Sequence, residues 1–182
     1  AQLSDWGERH LQRTGPCVLI ADTDRRLTEL YRHWLTPQYA VRYAYDCDEL
    51  RRQLTDSVDV VVFDRSLPGL SEESRGVFAP LADESCRIVM VTAERPDLAV
   101  VSTDCDDIVC KPVSRDVLRS AIERQLERRG DPPARREYHA LNARHSVLED
   151  TYSKGRLEGS DQFERLERRI EAAAEALDEE HE

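Results

Sequence analysis

Two carboxylates, a hydroxyl and an ammonium stand at the ends of four apolar runs. Asp22 closes CVLIAD (17–22), Asp64 closes VDVVVFD (58–64), Thr92 closes CRIVMVT (86–92), and Lys111 falls in DDIVCKP (106–112). Continuous β-branched runs this short read as strands buried on both faces of a parallel sheet. The third is followed by Leu67-Pro68-Gly69, a turn signal. At the carboxyl ends of parallel strands, where open α/β sheets bind their ligands, the four side chains come within reach of one small anion. Carboxylates crowded there repel each other and hold protons more tightly unless a cation sits among them. Mg²⁺ suits the place, because it is hard and is satisfied by one or two carboxylates, waters and a phosphoryl oxygen. Taken singly, each residue has an ordinary reading: a turn Asp, a β-branched Thr, a surface Lys. Four unlike polar groups at four strand ends argue for a site.

The elements that must position these groups alternate. A fifth run, AVRYAY (40–45), completes a (βα)5 rhythm and predicts an α/β fold, a doubly wound parallel sheet covered on both faces. Leu27, Leu30, Tyr31, Trp34 and Leu35 share one helical face, as do Leu50 and Leu54 of the next helix. Val117, Leu118, Ile122 and Leu126 mark the fifth helix, with Ser114 as its cap and Asp116 in its first turn. Residues 1–15 lack strong periodicity and read as an extension, leaving an α/β body over 16–129.

GDPPAR (130–135) reads as a linker, since proline cannot continue a helix. Beyond it, Tyr138, Leu141, His145, Leu148 and Tyr152 form one stripe, and Phe163, Leu166, Ile170, Ala173 and Leu177 another, with SKGRLEGS (153–160) between them. Residues 136–182 are therefore expected to form an α-helical hairpin or a pair of coiled-coil helices. Two helices alone bury little, so the pair must pack on the α/β body or, as a homodimer through 138–177, on a second copy. His145 lies on the stripe with no second ligand at metal spacing and reads as packing.

The formal net charge is -11, and residues 131–182 carry 14 acids against 8 bases, so nucleic acid is not an expected partner and proteins are. Only Lys111 and Lys154 are lysines, against 24 arginines. An acidic surface nearly free of lysine resembles proteins of salt-loving archaea; a GC-rich genome is the alternative explanation. Five cysteines without a C-x-x-C pair suggest buried thiols in a reducing compartment. With no apolar stretch of membrane-spanning length and no signal pattern, a soluble cytoplasmic protein is expected, and no membrane partner.

With these motifs in view, residues 17–129 resemble the receiver domain of two-component response regulators, on VLIAD, VVVFDRSLPG, IVMVTA and KPV. The C-terminal region is similar to HalX, the helical partner of many haloarchaeal receivers, on EYHALNARHSVLE and SDQFERLERRIEAA. The resemblance implies a flavodoxin-like sheet of order 2-1-3-4-5 and a Lys-Pro bond that is usually cis. It implies that Asp64 accepts a phosphoryl group from a sensor histidine kinase and that Thr92 and Lys111 hold its oxygens. Mg²⁺ would be bound by Asp22, Asp64 and the backbone carbonyl of Ser66. Two positions depart from the pattern. Thr23 stands where the family has a second acid, so the metal would be held more weakly unless Asp24 or a water substitutes. Ile108 stands where the family has an aromatic switch residue. Both departures leave open a pseudo-receiver, binding partners without phosphate. The D-x-D of IADTD also admits a haloacid-dehalogenase-like phosphatase, with Asp22 as nucleophile and Asp24 as acid/base, in which Asp64 would have no task.

Overall fold

The computed structural model describes residues 15–70, 78, 86–93 and 95–179. The apolar runs become five parallel strands: β1 (Cys17–Ala21), β2 (Ala40–Ala44), β3 (Val60–Asp64), β4 (Arg87–Thr92) and β5 (Asp107–Cys110). Their order is β2-β1-β3-β4-β5, as the family resemblance implied. Every residue of β1, β3 and β4 is buried, which is why their sequences are uninterrupted rather than alternating.

Three helices, α1 (Arg25–Leu35), α2 (Cys47–Gln53) and α3 (Arg115–Glu127), flank the sheet. Asp24, Asp46 and Ser114 cap them, each accepting backbone N–H bonds from the first turn. Helices α1 and α3 cover one face, packing Tyr31, Leu35, Leu118 and Ile122 on Val18, Ile20, Val62, Val89 and Val109. The apolar faces assigned to α1 and α3 are wider in sequence than in structure: Leu30 is 40% and Val117 51% exposed.

The other face is covered differently from the (βα)5 expectation. The connection from β3 to β4 lies largely outside the described residues, and so does the helix expected there. Between β4 and β5 the described residues contain a 3₁₀ helix, Leu98–Ser102, in place of an α-helix. Five 3₁₀ residues span about 10 Å, so although Val100 reaches the core they cover less of β4 and β5 than a full helix would. The C-terminal helices fill that gap. Helix α4 (Pro133–Thr151) begins within the sequence-assigned linker, with Pro133 in its first turn, where a missing N–H does no harm. A short α5 (Lys154–Leu157) turns the chain into α6 (Asp161–Glu179). Leu141, Leu148, Leu157, Phe163 and Leu166 join Ile88, Met90 and Ile108 in one buried cluster. The hairpin thus packs on its own α/β body.

Arginines fix this interface. Arg136 of α4 donates to Asp106 Oδ1 (2.6 Å) and Oδ2 (2.8 Å) and to the Cys86 carbonyl (3.0 Å). Asp106 also accepts the Ile88 N–H (2.7 Å) and faces buried Arg87 at 3.6 Å. Arg144 donates to the carbonyls of Thr103 and Cys105, the latter at 3.2 Å. Arg136 thus satisfies a carbonyl at the entry to β4, and Arg144 two carbonyls at the entry to β5. His145 stacks on Phe163 with ring centroids 5.0 Å apart, the packing role its place on the stripe predicted. No helix among the described residues is long and apolar enough to cross a membrane.

Candidate functional site

The strand register brings the sequence-selected residues to one rim. Ala21 pairs with Phe63, so Asp22 and Asp64 each lie one residue beyond the same rung. Asp64 pairs with Val91 and Thr92 with Cys110, which puts Thr92 and Lys111 next along the rim. Backbone bonds hold these ends: Asp22 N–H to Ala44 O (3.1 Å), and Lys111 N–H to Thr92 O (2.9 Å). The chain leaves β5 through a cis Lys111–Pro112 bond; Thr36–Pro37 is also cis.

Asp22 and Asp64 are each 5% exposed and Thr92 3%, whereas the Lys111 side chain keeps 37%. The Ser66 N–H donates to Asp64 Oδ1 at 2.7 Å, and the Ser66 hydroxyl donates to the same oxygen. Buried Oδ2 has the Lys111 ammonium at 2.5 Å and, among the described residues, no other hydrogen-bond donor. Burial acts to raise the Asp64 pKa, but the Lys111 and Ser66 bonds outweigh it and hold the carboxyl below its ordinary value. Asp22 shifts the other way. Burial raises its pKa, the Asp24 N–H bond (2.8 Å) opposes this, and the negative charge of Asp64 adds to the rise. The Lys111 pKa is raised: burial lowers it, but the bond to Asp64 and the fields of Asp64, Asp22 and Asp24 prevail. The same field reaches Tyr31 beneath the site, whose hydroxyl is pushed up to about 12 by burial first and then by Asp22, Asp64 and Asp24.

Thr23 is exposed, and the Asp24 carboxylate is committed to capping α1 through the N–H groups of Arg26 (2.8 Å) and Leu27 (3.3 Å). Neither supplies a third buried carboxylate. Among the described residues no cluster of three His, Cys, Asp or Glu could hold a metal. The two carboxylates nevertheless fit Mg²⁺, which takes one or two carboxylates and keeps several waters. Ile108, at the family's switch position, is buried in the cluster that includes the hairpin. An apolar groove of about 370 Å³, lined by Leu27, Leu30, Tyr31, Lys111, Pro112 and Val113, opens beside the site.

Sequence reasoning passed over Arg136 and Arg144. Arg144 carried a legible signal: it sits three residues after Leu141 and four before Leu148, on the buried side of α4. Nothing in the sequence announced that its partners would be backbone carbonyls.

Comparison with known proteins agrees with this anatomy. Residues 134–182 match the HalX domain. The body has the fold of response-regulator receiver domains. It is similar to a receiver domain from Clostridium thermocellum (21% identity, 62% of this chain and 95% of that one, TM-score 0.52). A CheY-like receiver from Methanospirillum hungatei is comparable (20%, 63% and 96%, TM-score 0.52), as is the BeF3-activated DrrB receiver (22%, 63% and 99%, TM-score 0.55). The fold defined by the sheet and its helices is therefore that of response-regulator receiver domains. More particularly, a body with the receiver fold is followed here by a segment that matches the HalX domain. A Haloferax volcanii protein described as "Putative transcriptional regulator" is 34% identical over 135 residues, which span 72% of this chain and 23% of that relative.

Proposed function

We propose that this chain is a phosphoacceptor module of a two-component system, in which Asp64 accepts a phosphoryl group from the phosphohistidine of a sensor kinase. The observation that carries the reading is Asp64 itself: a buried carboxylate with one oxygen fixed by Ser66 and the other facing Lys111, beside Asp22. In the transfer, an Asp64 oxygen supplies the electron pair for the new P–O bond. The P–N bond breaks, and the imidazole leaves with that bond's electrons and takes up a proton. Phosphoryl transfer of this kind needs little beyond alignment and charge compensation. Lys111 is already at the rim to meet the phosphoryl oxygens, and the Thr92 hydroxyl lies next to it in the register. Asp22, Asp64 and the Ser66 carbonyl would hold Mg²⁺, which when bound neutralises the charge gathering on the phosphoryl oxygens. Leu30 and the groove beside Lys111 offer the kinase an apolar footing at the mouth of the site.

The relatives support signalling rather than metabolic turnover, since the matched structures are receiver domains. The phosphatase reading loses ground because Asp24, its acid/base, is tied to the N-terminus of α1. The acidic, lysine-poor composition and the Haloferax relative support a haloarchaeal setting and a dilute role for exposed charge in molar salt. One second reading has observations behind it: Thr23 at the metal position and buried Ile108 favour a pseudo-receiver that binds partners without phosphate.

The two readings separate in one experiment. Full-length chain is treated with acetyl phosphate and Mg²⁺ and its intact mass recorded. The phosphoacceptor reading expects one phosphoryl increment, labile to hydroxylamine and absent from Asp64→Asn. A wild-type mass that does not change supports the pseudo-receiver instead.

A further inference from the structure

The connection that follows Thr92 is tied at two points. On one side Arg65, next in sequence to Asp64, meets Asp97 at 3.0 Å, and Asp97 caps the 3₁₀ helix through the Ala99 N–H at 3.0 Å. On the other side the hydroxyl of Tyr152, the residue that ends α4, donates to the carbonyl of buried Pro96 at 2.8 Å. The two ties are unequal. Arg65 is half-buried and Asp97 well exposed, and a pair open to solvent on one side contributes little by itself. Tyr152 is half-buried against the cluster that holds Ile108, and the Arg156 guanidinium lies over its ring at 5.4 Å. Its hydrogen bond is shielded and joins the HalX hairpin to the segment directly beyond the Thr92 hydroxyl.

We propose that Tyr152 is the positioning residue through which the phosphoacceptor site and the hairpin sense each other. The inference rests on the phosphoacceptor reading. A phosphoryl group on Asp64 places new anionic oxygens beside Thr92 and competes for Lys111, which meets Asp64 at 2.5 Å. When the Thr92 hydroxyl turns to those oxygens, the stretch of chain at Pro96 and Asp97 moves with it. The Pro96 carbonyl then leaves its alignment with Tyr152, and the end of α4 loosens. The Ile108 side chain, buried in the cluster that includes the hairpin and without a polar atom, cannot carry this displacement by a hydrogen bond; the Tyr152 hydroxyl can. Coupling of this kind is reciprocal, so removing the hydroxyl must also ease loading of the site.

The test uses the full chain as wild type, Tyr152→Phe and Asp64→Asn, titrated with beryllofluoride and Mg²⁺. Loading is followed by ¹⁹F NMR and local opening by amide hydrogen exchange. In wild type, loading reduces protection over 148–157. In unloaded Tyr152→Phe, protection there is already about fivefold lower, the effect of one lost hydrogen bond. Loading then changes protection no further, and half-loading needs up to about fivefold less beryllofluoride. Asp64→Asn shows neither loading nor an exchange response. Wild-type loading that leaves 148–157 unchanged overturns the proposal, as does a Tyr152→Phe protein whose exchange responds as wild type does. Absence of loading in wild type overturns the phosphoacceptor reading and this proposal with it, and the NMR signal tells that failure from the others.

Discussion

Leu148→Ala tests whether the C-terminal hairpin and the α/β body share one core. Leu148 is 0% exposed and belongs to the cluster containing Met90 and Ile108. The substitution removes three carbons, about 0.8 kcal/mol each in transfer free energy, and leaves a cavity whose cost brings the loss to about 3 kcal/mol. At a urea dependence of about 2 kcal/mol per molar, the unfolding midpoint falls by about 1.5 M. The reporter must lie far from the mutation. Trp34 on α1 packs against the opposite face of the sheet, so its emission, read in a Trp6→Phe background, reports the body and not the hairpin. A shared core moves the Trp34 transition and the helical circular dichroism together. The reasoning is refuted if the Trp34 midpoint moves less than about 0.3 M while helicity melts in a separate, earlier step. Leu30→Ala is the control, since a side chain 40% exposed should change stability by no more than about 0.5 kcal/mol.

Other predictions concern the rim. Thr23→Asp adds a carboxylate at an exposed position, where attraction to a divalent ion of about 2 kcal/mol is partly offset by repulsion from Asp22 and Asp64. Mg²⁺ affinity by calorimetry should rise about tenfold, and no gain would mean that another group already fills the position. Asp22→Asn should stabilise the metal-free protein at neutral pH. The folded Asp22 pKa lies above its ordinary value, chiefly through burial, so its charged form weakens the fold as pH rises through that value. The gain should vanish below the ordinary carboxyl pKa of about 3.9, where the group is protonated folded or unfolded. Asp64→Asn has the opposite sign. A lowered folded pKa means that Asp64 contributes stability above about 3.9 that is lost as pH falls through the folded value, so its removal should weaken the fold near neutrality and not in acid. Thermal melts from pH 3 to 8 read both, and parallel curves for the two variants would contradict the assignment.

Much of the site was legible because the sheet is parallel and buried. Uninterrupted apolar runs mark β1, β3 and β4, and a polar residue can enter such a run only where the strand emerges, so Asp22, Asp64, Thr92 and Lys111 announced themselves as rim residues. Helix caps were legible for a related reason: Ser114 must satisfy N–H groups within its own turn, a requirement local enough to be written in sequence. The 3.6-residue period also found the buried side of α4. It could not say what that side would meet, because an apolar stripe satisfies a second copy of the chain and the face of β4 and β5 equally well.

Sequence by itself determined which residues reach the carboxyl edge and which helical faces are apolar, since both follow from short-range periodicity. Tertiary structure decided the rest. It set Asp24 Oδ1 to capping α1, and it turned Asp22 and Asp64, alike in type, toward opposite pKa shifts according to who stands beside each. It also seated the hairpin over β5, with Arg136, Arg144 and Tyr152 on backbone and carboxylate partners 30 to 56 residues away. The physical reason is that solvation and charge depend on distance in space, and a chain's local pattern carries no record of the neighbours that folding brings to it.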